Sequence, residues 1–230
     1  MKVQLVSHSS FSLRQTESDP KPKESDSKPK TLQDIVAYCA KVSNPANQLN
    51  TETNEKLIRY LIKNNHWSPL EMVSICLEVE TTRDIARQIL RHRSFSFQEF
   101  SQRYAVASLG FENKEARLQD TKNRQNSIYV ENPELQDEWT KKQEEISAIV
   151  DDVYRWALSK GIAKEQARAV LPEGMTVSRM YMNGTLRSWV HYIMLRSGNG
   201  TQKEHKDVAL ACAKAIEPIF PMIMEFISAE

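Results

Sequence analysis

The sequence predicts an α+β fold: a single domain over residues 1–230, with a central antiparallel or mixed sheet flanked by helices. Three observations point to it. Apolar residues alternate, as in half-buried strands, at the N-terminus, around Ile75 and around Met180. Helical periods fall between those strands without the regular strand–helix repeat of a doubly wound sheet. Neither a Gly-x-Gly-x-x-Gly turn nor a Walker-type loop is present, so no standard dinucleotide or P-loop fold is signalled.

The elements follow in order. "MKVQLVSHSSFSL" opens as a strand-like alternation. "RQTESDPKPKESDSKPKT", residues 14–31, has nothing to bury and reads as a mobile surface excursion. "TLQDIVAYCAKVS" spaces Leu32, Ile35, Val36 and Cys39 helically behind a Thr cap, and "TETNEKLIRYLIKNN" opens with a second cap-and-acid signature. "HWSP" breaks the chain, because the residue before Pro69 is pushed away from helical geometry. Val73, Ile75, Leu77 and Val79 mark the strongest strand. A helix restarts at Thr81 or Thr82 and runs to His92, after which Ser94 to Tyr104 reads as extended. Residues 110–132 are irregular except for a short strand at "SIYV". A long helix starts at Pro133 and stops at Gly161, and a shorter one, "AKEQARAVLPEG", is halted near Pro172. "MTVSRMYMNG" reads as a strand, "TLRSWVHYIMLR" as a helix, and the remainder as one or two closing helices.

The bulk numbers exclude several classes of function. Lys and Arg total 31 against 30 Asp and Glu, a net charge of +1, which is no footprint for a general nucleic-acid binder. No apolar run approaches the ~18 residues that a bilayer span requires, and the N-terminus lacks the apolar core of a signal peptide. Cys39, Cys76 and Cys212 are widely spaced among apolar neighbours and read as reduced core residues of a cytoplasmic protein. His8, His66, His92, His191 and His205 show no paired ligand spacing, so no metal site is predicted.

The chemistry concentrates in "RQILRHRSFSFQEFSQRYA", Arg87 to Ala105. On the helix, Arg83, Arg87 and Arg91 recur every fourth residue with Gln88 beside them, and like charges at that spacing cost about 0.2–0.5 kcal/mol per pair unless compensated. Glu78, Glu80 or Asp84 could pair with them, or a bound phosphate could be gripped by the guanidinium groups. In an extended chain Glu99, Ser101 and Arg103 would share one face, and Phe100, Gln102 and Tyr104 the other. Such a row suits a ligand with a phosphate, a sugar and a hydrogen-bonding base. Ser101 lacks the glycines of a nucleophile elbow, and nothing near it would deprotonate it.

"RHRSFSFQEFSQRY", Arg91 to Tyr104, resembles the signature of the flavin-dependent thymidylate synthases, the ThyX family: Arg-His-Arg, a spaced Ser, Asn, Glu, then Ser-x-Arg-Tyr. Gln98 stands in place of the Asn. "HWSPLE" resembles the family's His-x-Thr-Pro-x-Glu with Ser68 for Thr, and "ARAVLP" and "RSWVHYIMLR" resemble its C-terminal substrate and flavin segments, with His191 where Asn is often found. Residues 14–31 lie outside the resemblance.

The resemblance implies a ThyX-like homotetramer that makes dTMP from dUMP. Methylenetetrahydrofolate would be the carbon donor, FAD the bound cofactor and NADPH the reductant, with sites shared between subunits. Carried over by position, dUMP would be held by Gln88, Arg91, Glu99, Phe100, Ser101, Gln102, Arg103, Arg168 and Arg196. FAD would be contacted by His66, Ser68, Arg91, His92, Arg93, Glu99, Arg187 and His191. Arg196 is implied to be catalytic, facing the uracil and favouring ionisation at N3; the bland alternative is a cation at a helix C-terminus. No catalytic thiol is implied, since no cysteine here follows a proline. Two other readings compete. A single-strand nucleic-acid platform could use the arginine stripe and interleaved aromatics, but the net charge and the C-terminal matches argue against it. An inactive relative is opposed by the intact Arg91, Glu99, Ser101, Arg103, Arg168 and Arg196.

Overall fold

A computed structural model describes residues 1–12 and 31–228. The excursion expected over 14–31 lies outside the described residues except for Thr31. A four-stranded sheet, antiparallel throughout, has the order β1-β2-β6-β3, with β1 at Lys2–His8, β2 at Ser74–Thr82, β3 at Ser96–Glu99 and β6 at Val177–Thr185. The two long central strands carry the alternation that the sequence displays. Leu77 pairs with Met182 and Val79 with Met180, and all four are buried together with Ile75. A two-stranded hairpin, β4 (Arg117–Gln119) and β5 (Ser127–Tyr129), stands apart from that sheet.

Helices cover the apolar side. α1 (Leu32–Ala40) starts with a full capping box, in which the Thr31 hydroxyl accepts from Asp34 N and the Asp34 carboxylate accepts from Thr31 N. α2 (Asn54–Lys63) begins without a side-chain cap from Thr53, contrary to its cap-like sequence. Asn54 is instead buried as a bridge: its amide donates to Asp34 Oδ1 at 2.9 Å and accepts from Lys41 Nζ at 2.7 Å, tying α2 to α1. α4 (Pro133–Ser159) has Asn132 as its cap and ends at Gly161, whose φ of +77° suits glycine. α5 (Lys164–Ala167) continues as a 3₁₀ turn over Arg168–Val170 and stops before Pro172. α6 (Leu186–Ser197) is capped by Thr185, and α7 (Lys203–Ile216) is followed by a 3₁₀ segment, Pro221–Phe226. The core joins β2 and β6 to α1, α2, α6 and α7, with Trp189 donating from Nε1 to Ile75 O at 3.0 Å.

Two expectations need correction. α3 runs Arg83–Ile89 rather than to His92. Arg91 N and His92 N donate to carbonyls three residues back, Gln88 and Ile89, so the helix tightens and ends, and Arg91 leaves the stripe of Arg83 and Arg87. The extended stretch is only Ser96–Glu99. At Ser101 the chain turns, its carbonyl accepting from Tyr104 N and Ala105 N, so Ser101 and Arg103 do not continue the face of Glu99. The turn buries Gln102 and leaves Tyr104 exposed. Between these elements, Phe95 lies over Gly184 of β6, where a Cβ would stand 2.5 Å from the ring.

Candidate active site

Three groups of side chains emerge from the predicted set. The first lines a cleft of about 440 Å³ where α3 meets the α5 turn. Arg83, Arg87 and Arg168 converge there beside the buried Gln102. Arg83 and Arg87 are compensated, but not by Glu78, Glu80 or Asp84. Glu78 and Glu80 take Arg179 from the neighbouring strand, and Asp84 accepts from Thr82 Oγ1. Arg83 instead lies 3.5 Å from Glu99, Arg87 pairs with Glu173, and Arg103 lies 3.3 Å from Glu165. Glu99 also accepts from Ser178 Oγ at 2.7 Å, which fixes its carboxylate against the sheet. The Arg87 and Glu173 side chains are 63% and 47% exposed, so their pairing contributes at most about 1 kcal/mol and an incoming phosphate can displace it.

The second group lies where α6 ends. Arg196 donates from Nε to His92 Nε2 at 2.9 Å and has no carboxylate partner among the described residues. Burial, and then the charge of Arg196, pushes His92 down to about 4, so its imidazole is neutral and Nε2 is free to accept. Tyr192 packs edge-on against His92 at 4.9 Å between ring centroids. Gln88, facing away from Arg87 on α3, belongs here: it reaches Gln202 at 2.8 Å and His205 at 3.2 Å. His205 is fully buried and pushed down to about 3 by burial, then by Arg196 and His92.

The third group sits on the opposite end of α6. Arg187 pairs with Glu71 of the 3₁₀ turn Ser68–Met72, and His191 packs on Trp67 with ring centroids 4.3 Å apart. Burial, then Arg187, lowers the His191 pKa. His66 lies edge-on to Tyr60 at 6.2 Å, and Ser68 opens the turn beside it. Arg91 and Arg93 are exposed and hold no ion pair among the described residues. Exposed guanidinium groups and the tilted Trp67–His191 ring pair supply the kinds of group that a flavin nucleotide needs, cations for its phosphates and aromatic rings to border its own.

The structure therefore gathers Glu99, Gln102, Arg103 and Arg168 in one place, Gln88, His92 and Arg196 in a second, and His66, Ser68, Arg187 and His191 in a third. Phe100 is held by its backbone N–H to Arg179 O at 2.8 Å, and Ser101 forms the turn between cleft and strand. Sequence reasoning missed Gln202 and His205. "TQKEH" reads as the polar start of a helix, and only the packing of α7 on α3 and α6 buries the histidine. None of the three cysteines is placed to act as a nucleophile: burial raises the pKa of each thiol.

The family model described as thymidylate synthase complementing protein matches residues 27–222. A probable flavin-dependent thymidylate synthase of Paramecium bursaria Chlorella virus 1 is 49% identical over 193 residues, 84% of this chain and 89% of its own. A flavin-dependent thymidylate synthase of Synechocystis is 48% identical over 198 residues, 86% of this chain and 90% of its own. The crystal structure of a UMP/dUMP methylase, PolB from Streptomyces cacaoi, bound with 5-Br dUMP, shares the fold with a TM-score of 0.78 and 24% identity, over 98% of this chain and 93% of its own.

Proposed function

Given that the chain belongs to the family of flavin-dependent thymidylate synthases, we propose that it reductively methylates dUMP to dTMP. The carbon comes from methylenetetrahydrofolate and the reducing equivalents from NADPH. The cofactor is FAD, which when bound supplies the hydride-transfer chemistry.

The observation that carries this reading is Arg196. It is a partly buried guanidinium held through Nε by a neutral imidazole, with no carboxylate to neutralise it among the described residues. A fixed cation of this kind stabilises negative charge that develops on the uracil ring when N3 loses its proton, and so makes C5 electron-rich toward the folate methylene. Arg91, Arg103 and Arg168 bind the nucleotide phosphate, while Gln88, Glu99, Phe100, Ser101 and Gln102 hold its sugar and base. His66, Ser68, Arg91, His92, Arg93, Glu99, Arg187 and His191 hold FAD. The separation of these residues into three groups on one chain supports completion of each site by a neighbouring subunit, in a homotetramer. No described helix is long and apolar enough to cross a membrane, and the three free cysteines suit the reducing cytoplasm.

The test is Arg196→Ala. The variant should keep its flavin absorption band and its melting temperature, and form no dTMP. Product formation near the wild-type rate would remove Arg196 from the activating role.

A further inference from the structure

Four side chains link the start of α7 to α3, and every polarity in the chain is set from one end. Glu204 is the anchor. Burial would raise its pKa, but hydrogen bonds from its own backbone N–H, from Gln202 and from Arg117 hold it below the usual carboxylate range, so it is ionised and can only accept. Arg117 grips it at 2.7 Å. Gln202 must therefore turn its Nε2 toward Glu204, at 2.9 Å, which leaves its Oε1 facing Gln88. Gln88 in turn donates from Nε2 to Gln202 at 2.8 Å and offers its Oε1 to His205 Nδ1 at 3.2 Å. An amide oxygen only accepts, so His205 carries its proton on Nδ1. The imidazole is 0% exposed, and its other nitrogen, Nε2, has no protein partner. Among the described residues, this buried ring makes one polar contact, and it is to Gln88.

We infer that His205 is a positioning residue for the nucleotide site: its Nδ1–H locks the carboxamide of Gln88 so that one N–H and one oxygen lone pair are presented to dUMP in a fixed orientation. The inference rests on the proposed contact between Gln88 and dUMP. A free carboxamide exchanges its donor and acceptor ends by a half-turn. Held between Gln202 and His205, Gln88 cannot make that turn without setting its oxygen against the oxygen of Gln202 and moving the proton of His205 onto the buried, unpartnered Nε2, which leaves buried groups unpaired.

The experiment compares isosteres in the flavin-loaded enzyme. His205→Asn puts an amide N–H where Nδ1 stood, His205→Gln puts one near the position of Nε2, and His205→Leu supplies neither. Calorimetric titration with dUMP, steady-state kinetics and melting temperature are measured for each. Loss of a single fixed hydrogen bond predicts an increase of about tenfold in Kd and KM for dUMP in His205→Leu and His205→Gln, with a smaller change in kcat. His205→Asn should bind within about threefold of wild type. In the double variant Gln88→Ala/His205→Leu, dUMP should bind no more weakly than in Gln88→Ala alone.

Equal affinities in the Asn and Gln variants, or additive losses in the double variant, would overturn the inference. If His205→Leu does not fold, the Asn and Gln pair still decides. Weakened binding in Gln88→Ala alongside normal binding in His205→Leu defeats the positioning role alone. Unchanged binding in Gln88→Ala defeats the Gln88 contact and the role of His205 with it.

Discussion

Substituting Gly184 with alanine tests how the segment bearing Arg91, His92 and Arg93 is held. The new Cβ would lie 2.5 Å from Phe95 Cδ1 and 2.6 Å from Cε1, about 0.9 Å inside the 3.4 Å at which ordinary contact begins. The ring cannot retreat freely, because it is 8% exposed and packs against Trp189, Tyr192 and Phe97 with centroids 4.8, 5.9 and 6.2 Å away. Overpacking of this kind costs about 1–3 kcal/mol, offset by about 0.5–1 kcal/mol from replacing a strand glycine. The expected net destabilisation is about 1–2 kcal/mol, or a melting temperature lower by about 2–8 °C for a chain of this size. Because Phe95 N donates to His92 O and Ser94 O accepts from Ser188 Oγ, the displaced ring should also shift this arginine segment. Flavin affinity should fall with stability. Differential scanning calorimetry of Gly184→Ala, Phe95→Leu and the double variant separates the contributions, and the alanine should cost less when Leu replaces the ring. A Gly184→Ala protein that melts at or above wild type, or the same penalty in both backgrounds, would refute the steric argument.

Further outcomes concern charge and pH. His92 and His205 are held near 4 and 3 in the folded chain, against about 6.5 when unfolded. The unfolded state thus takes up to two more protons below pH 6.5. Stability present above that pH should fall by as much as about 2.7 kcal/mol per pH unit between 6 and 4, and urea midpoints that do not move over this window would contradict it. Glu173→Gln removes the exposed counterion of Arg87 and should tighten dUMP up to about fivefold at low salt; weaker binding in titration would give Glu173 a direct role. Asn54→Ala breaks both bonds between α1 and α2 and should cost about 2–3 kcal/mol, measured as a shift in the urea midpoint.

The fold was legible wherever a local pattern had a local cause. β2 and β6 bury one face, so Leu77, Val79, Met180 and Met182 show a period of two. Pro133 and Gly161 bound α4 because ring and φ constraints act at a single residue. The end of α3 was hidden because Arg91, His92 and Arg93 carry no breaker. The turn at Ser101 was hidden for the same reason, since neither Gly nor Pro stands in Ser101–Tyr104. At the candidate site, the residue types were readable from a long motif, but their partners were not. Glu99 for Arg83, Glu173 for Arg87 and Gln202 for Gln88 come from remote parts of the chain and meet only through packing.

α6 carries Arg187 and His191 near one end and Arg196 near the other, and its inner side, Trp189, Val190, Tyr192 and Ile193, is locked in the core. At about 1.5 Å of rise per residue, Arg187 and Arg196 are held about 13–14 Å apart along a rod that cannot stretch. For an engineer or an evolving lineage, that length is not adjustable by small steps. Inserting one residue would turn everything beyond it by about 100° and pull either the core or one of the charged ends out of place. Substrate range in such a protein can drift through the residues around the two ends, while the distance between them is inherited whole.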